Sequence, residues 1–165
     1  MKKILLFFIL ILVFGCQSID KNRSKTSTID CPSVFFSSEN NVFSQGDTNS
    51  LDLEKIEYKA TLNNFGFTTS CFEDSINNNY FLDLLILVEP ITPKDENINL
   101  PIFAILYDDN NKIIGKDYFR IVDKLKYYNE ISNSKSTDLA TTLKIITPYN
   151  NKVSSLIIGF VKIKK

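Results

Sequence analysis

Histidine is absent from the 165 residues, and so is tryptophan. Without histidine the commonest general base, proton shuttle and metal ligand is missing, which excludes Ser/His/Asp and Cys/His catalytic arrangements. Only five glycines occur and none are clustered, so there is no glycine-rich loop to cradle a phosphate. Charge of one sign is lacking too. The 19 Lys+Arg are matched by 19 Asp+Glu, and such a balance gives no electrostatic reason to expect nucleic acid. Nor is there an apolar run long enough to span a bilayer as a helix, which takes about 20 residues.

The longest apolar run, residues 4–14, follows Met1-Lys2-Lys3 and ends at Gly15-Cys16. A positive start followed by a short apolar stretch is the pattern of a secretory signal. A buried core helix would show polar positions at helical spacing, and this run has none. Its last residues, Val13-Phe14-Gly15-Cys16, resemble the lipobox of bacterial lipoproteins: an aliphatic residue, a tolerant position (here the bulky Phe14), a small residue, then cysteine. The resemblance implies a diacylglyceryl group on Cys16, cleavage between Gly15 and Cys16, and acylation of the new amino group. Each buried methylene contributes about 0.8 kcal/mol, so two or three chains on one residue hold where a single chain binds only reversibly. The expected location is the cell envelope. In a cell with two membranes, Gln17 in place of Asp after the cysteine favours the outer membrane, inner leaflet.

Three expected segments follow: residues 1–15 as signal peptide, 16–30 as lipidated N-terminus and flexible tether, and 31–165 as a single domain. Losing Lys2 and Lys3 with the signal leaves an excess of two carboxylates. Residues 17–30 are polar, without aromatics, and carry Lys21, Arg23 and Lys25, too little apolar surface to order a chain. Three cysteines are an odd number for an exported protein. If Cys16 is taken by lipid, Cys31 and Cys71 remain as a pair that an oxidising compartment would join, two free buried thiols being the alternative. Two cysteines and no histidine rarely close a zinc site, and neither metal nor cofactor is expected.

From Cys31 onward short apolar runs alternate with turn residues. Ile56, Tyr58, Ala60 and Leu62 alternate with polar neighbours, and Phe65, Phe67, Thr69 and Cys71 continue the period across a bend or bulge at Asn63-Asn64. Tyr80, Leu82, Leu84, Ile86 and Val88 share a face. Leu85 and Leu87 make the opposite face apolar as well, which predicts a central strand. Residues 90–101, rich in Pro, Asn and charge, read as a loop. Residues 102–107 and 113–122 flank Asp108-Asp109-Asn110-Asn111, which is hairpin-turn chemistry. Residues 123–136 read as a strand end plus loop, and 139–147 and 153–163 as a last hairpin through Pro148-Tyr149-Asn150-Asn151. The fold class is all-β: an immunoglobulin-like or related antiparallel β-sandwich of about seven or eight strands. The asparagine runs, such as Asn77-Asn78-Asn79, read as compositional bias rather than as a prion-like segment. Cys31-Pro32, Cys71 and the strand rhythm over 31–165 resemble small alphaproteobacterial envelope lipoproteins, which have no established activity to lend.

Little here points to catalysis. Ser132-Asn133-Ser134-Lys135 matches S-x-x-K, but in a polar loop and without a companion motif. Ser18-Ile19-Asp20-Lys21 matches equally, so the pattern arises cheaply. Asp108-Asp109-Asn110 lacks the glycine and glutamate that a calcium loop needs at its sixth and twelfth positions, where Ile113 and Phe119 stand. Glu73-Asp74 and Asp95-Glu96 read as solvated loop acids, and Tyr127-Tyr128 as packed against the sheet. No catalytic residue is expected. The reading is a lipid-anchored envelope protein whose sandwich is a non-catalytic binding or structural module, meeting the membrane through its anchor and an envelope protein through an edge strand. The alternatives are a periplasmic lipid or small-ligand carrier with an apolar cavity, and a hydrolase.

Overall fold

The computed structural model describes residues 26–46, 55–91, 97–125 and 137–162. Ten strands follow in chain order: β1 (Ser27–Thr28), β2 (Ser33–Phe36), β3 (Val42–Gly46), β4 (Ile56–Phe67), β5 (Phe72–Glu73), β6 (Asn77–Pro90), β7 (Asn97–Tyr107), β8 (Ile113–Lys124), β9 (Thr137–Pro148) and β10 (Ser155–Phe160). They form two sheets packed as a sandwich. Ser27 and Thr28, which composition assigns to the tether, pair with β5, so the sheet begins ahead of Cys31.

β6 is the axis of the larger sheet. One edge pairs with β9 from Asn77 to Val88; the other pairs first with β5 and then with β4. β3 flanks β4, and β1 flanks β5. The expected bulge lies between Leu62 and Asn64. It is why Phe65 lines up with Leu84, its ring meeting Phe36 of the smaller sheet edge-on at 5.7 Å. The smaller sheet runs β2-β10-β7-β8. All its neighbours are antiparallel except β2 and β10, which run parallel, a departure from the wholly antiparallel expectation.

Side chains of period two from both sheets fill the space between them. Tyr80, Leu82, Leu84 and Ile86 of β6 meet Leu100, Ile102 and Leu106 of β7 and Leu156 and Ile158 of β10 in one core, nearly all without solvent contact. Each such aliphatic side chain contributes about 1.5–3 kcal/mol by leaving water. Polar links cross the gap where an alternation ends. Asn99 N–H donates to Tyr58 Oη at 3.0 Å, and the Tyr58 hydroxyl donates to the Asn99 carbonyl at 3.1 Å.

Two expectations about connections are corrected. Residues 97–101 belong to β7 rather than to a loop. Pro101 is tolerated there because it lies one residue past the last β10 pair, Phe160 with Ile102, so its absent N–H forfeits a bond only at the end of the ladder. And β9 and β10 are not a hairpin. β9 pairs with β6 in the larger sheet while β10 joins β7 and β2 in the smaller one, so residues 149–154 cross between sheets. Buried Asn78 holds that crossover, its Nδ2 donating to the carbonyls of Pro148, Tyr149 and Asn151 at 3.1–3.4 Å. Val153 N–H donates to Tyr80 Oη.

Candidate functional site: the outward face of the smaller sheet

β8 is an edge strand whose alternate residues divide by chemistry. Gly115, Asp117, Phe119, Ile121 and Asp123 occupy one side, and Lys116, Tyr118, Arg120, Val122 and Lys124 the other. Ile121 is buried while Tyr118 and Val122 are 69% and 68% exposed, which sets the second group on the outward face. The same alternation on β7 buries Leu100, Ile102, Ala104 and Leu106 and turns Phe103 and Ile105 outward.

Strand register joins these residues into rows. Lys116 lies beside Ile105, Ile105 beside Ile157, and Ile157 beside Phe35, which is 57% exposed. In the next row Tyr118 lies beside Phe103, and Phe103 beside Gly159. A Cβ on Gly159 would stand 2.6 Å from the Phe103 ring, closer than atoms pack, so the glycine is what lets that ring lie across β10. Between these rows opens a surface depression of about 270 Å³ lined by Phe103, Ile105, Tyr118, Lys116, Lys162 and Asn40, among others. Arg120 is held by its neighbour on β7, its Nε–H donating to Asn99 Oδ1 at 2.8 Å.

No outward-facing position of the four strands in the smaller sheet carries a carboxylate. Its cations are Lys116, Arg120 and Lys124, with Lys162 just beyond β10. The outward side of the larger sheet is mixed, with Glu57, Asp83, Glu89 and Asp138 beside Lys59 and Lys144. Asp83 accepts from the hydroxyls of Thr142 and Thr68, which hold its carboxyl below the usual carboxylate range. On β8 the opposite holds for Asp117. Turned inward, it is pushed above that range by desolvation, so its ionised form is disfavoured by folding at neutral pH and relieved as the pH falls. An inward carboxylate on an edge strand discourages another strand from adding there, which leaves the face rather than the edge of β8 as the contact surface.

The residues singled out from sequence fare differently. Cys31 and Cys71 form a disulfide with Cα atoms 5.2 Å apart. It joins the segment between β1 and β2 to the one between β4 and β5. Cys16, Ser18, Lys21, Asp95-Glu96, Tyr127-Tyr128, Ser132 and Lys135 lie outside the described residues. Asp108 builds the hairpin turn, its Oδ1 accepting from Asn110 and Lys112 N–H, with Asn111 at φ 58°. Of the acidic pair Glu73-Asp74, Glu73 accepts from Ser27 and Asp74 caps the turn into β6 by accepting from the N–H groups of Ile76 and Asn77, which lower its pKa. Among the described residues no group of three or more carboxylates and cysteines is placed to hold a metal ion. The face itself was not anticipated, although the alternation Lys116-Tyr118-Arg120-Val122-Lys124 was readable once β8 was assigned.

Among protein-family models, curated proteins and solved structures, none matches this chain.

Proposed function

We propose that the chain is a lipid-anchored cell-envelope protein whose sandwich is a non-catalytic binding module, and that it binds through the outward face of the smaller sheet. One observation carries the second half: apolar and cationic side chains share that face, and none of its outward strand positions holds a carboxylate. Natural surfaces usually intersperse both signs, and a one-sided patch of this kind marks a contact site. The carrier alternative draws less support, because the space between the sheets is taken up by large side chains such as Tyr80, Leu84, Ile102 and Phe160. A hydrolase would need an activated nucleophile or paired carboxylates across a cleft, and the lining of the depression contains no Ser, Thr, Cys, Asp or Glu.

The test is in-cell cross-linking with a photoreactive group at position 122 on the face or at position 146 on the larger sheet. Val122 and Ile146 are both exposed. Protein, glycan or lipid adducts from position 122 and few from 146 are expected. Equal yields from the two positions, or none from 122, would remove the face from consideration.

A further inference from the structure

The partner of this face is itself legible in its chemistry. We infer that the outward face of the smaller sheet docks flat on an anionic lipid bilayer, with Phe35, Ile157, Ile105, Phe103 and Tyr118 against the headgroup boundary and Lys116, Arg120, Lys124 and Lys162 on lipid phosphates.

Charge complementarity is the first argument. Cations without carboxylates are attracted to an anionic surface, and each Lys or Arg held near such a surface adds favourably. Their placement is the second. Lys116 and Lys162 line the same depression as the Phe103 and Tyr118 rings, so an anionic headgroup on the lysines would stand beside apolar surface rather than in open water. Tyr118 combines an apolar ring with a polar tip, the property that suits aromatic side chains to a membrane interface. The third argument is what the face lacks. The backbone N–H and C=O groups of β10, β7 and β8 lie in the plane of the sheet, where they pair strand to strand, so the face offers few directional hydrogen bonds, whereas an extended peptide would use a strand edge. A planar surface that offers charge and apolar area suits a partner that is also planar, anionic and apolar just below its charges. The outward side of the larger sheet, with four carboxylates against two lysines, would face away.

The inference rests on the binding-module reading but does not need the acyl anchor. An anchor would raise the effective concentration of the face near the membrane without adding a contact. The chain contains no tryptophan, so Tyr118→Trp installs a single fluorophore on the face and Ile146→Trp one on the opposite side. The full chain is mixed with phosphatidylcholine vesicles, with and without phosphatidylglycerol, and with bromine-labelled acyl chains as quencher. The indole at position 118 is expected to shift to the blue and to be quenched only when phosphatidylglycerol is present, while the one at position 146 stays silent. Adding Lys116→Glu and Arg120→Glu should lower the apparent vesicle affinity of the Tyr118→Trp chain about 10-fold or more, and high salt should do the same. No response from the Tyr118→Trp chain, or equal responses from both variants, overturns the proposal. So does a response of the face fluorophore to polyglutamate with none to vesicles, which would make the face a site for acidic protein. Flotation of the unmodified chain on pure phosphatidylcholine reads the acyl anchor separately. An anchored chain whose face fluorophore does not respond loses the docking inference alone. A chain that responds but does not float on neutral vesicles loses the anchor alone.

Discussion

Asn78 carries its side-chain nitrogen among the carbonyls of Pro148, Tyr149 and Asn151, and almost none of the residue touches solvent. Thr147 completes the cluster, its hydroxyl donating to the Asn151 carbonyl at 2.7 Å. Neighbouring Asn79 reaches Asp74, which caps the turn into β6. The run Asn77-Asn78-Asn79, read from composition as bias, therefore has separate tasks, and they were hidden because their acceptors lie up to 73 residues away. Asn78→Leu keeps the branched shape but takes the donor from the Tyr149 carbonyl, while the Pro148 and Asn151 carbonyls retain Asn151 N–H and the Thr147 hydroxyl. Burying an unpaired polar group costs about 1–3 kcal/mol. Urea unfolding should show a loss of that size, with an unchanged slope if only the folded state is affected. A loss below a few tenths of a kcal/mol would mean that water replaces the amide.

At the scale of elements, the disulfide closes a loop of 40 residues across the place where the chain leaves β1 in the larger sheet for β2 in the smaller. Ile29 N–H bonds to the Cys71 carbonyl beside it. β1 and β5 are two residues each, too short to hold themselves, so the bridge clamps an end that pairing alone would leave frayed. Replacing Cys31 and Cys71 together with alanine should cost about 3–4 kcal/mol by the chain-entropy account. The clamp adds a local effect, so hydrogen exchange in that variant should accelerate most near residues 27–31 and 71–73, beyond the acceleration that the lost global stability gives β6. Uniform acceleration would show instead that the bridge acts on the unfolded chain as a whole. Element boundaries illustrate where pattern reading stops. Residues 97–101 looked like loop because Pro and Asn dominate the window, yet β7 continues through them. The two strands flanking Pro148-Tyr149-Asn150-Asn151 looked like a hairpin, because sequence shows a turn but not the sheet that each arm joins.

For the molecule as a whole, the proposed arrangement has a lipid at Cys16, a polar spacer and a sandwich with one cationic, apolar face. Cys16→Ser removes the only atom that could carry the diacylglyceryl group in a lipobox. The variant should keep its signal uncleaved at Gly15–Cys16 and lose acyl mass, as intact mass would show. Acylated protein in that variant would refute the anchor. The sequence by itself determined the all-β class, the bulge near Asn63-Asn64, the turn at Asp108 and the central position of β6, each of which follows from local alternation or turn chemistry and needs no knowledge of distant neighbours. It offered Cys31 with Cys71 as a pair only if Cys16 is taken by lipid, and the structure joins the two. Only the tertiary structure decided that β9 and β10 lie in different sheets, that β2 runs parallel to β10, and that Lys116 and Tyr118 stand beside Phe103, Ile105 and Lys162. A period of two tells which side chains of a strand turn inward but not which strand lies beside it, and that choice is made by core packing and by buried amides such as Asn78.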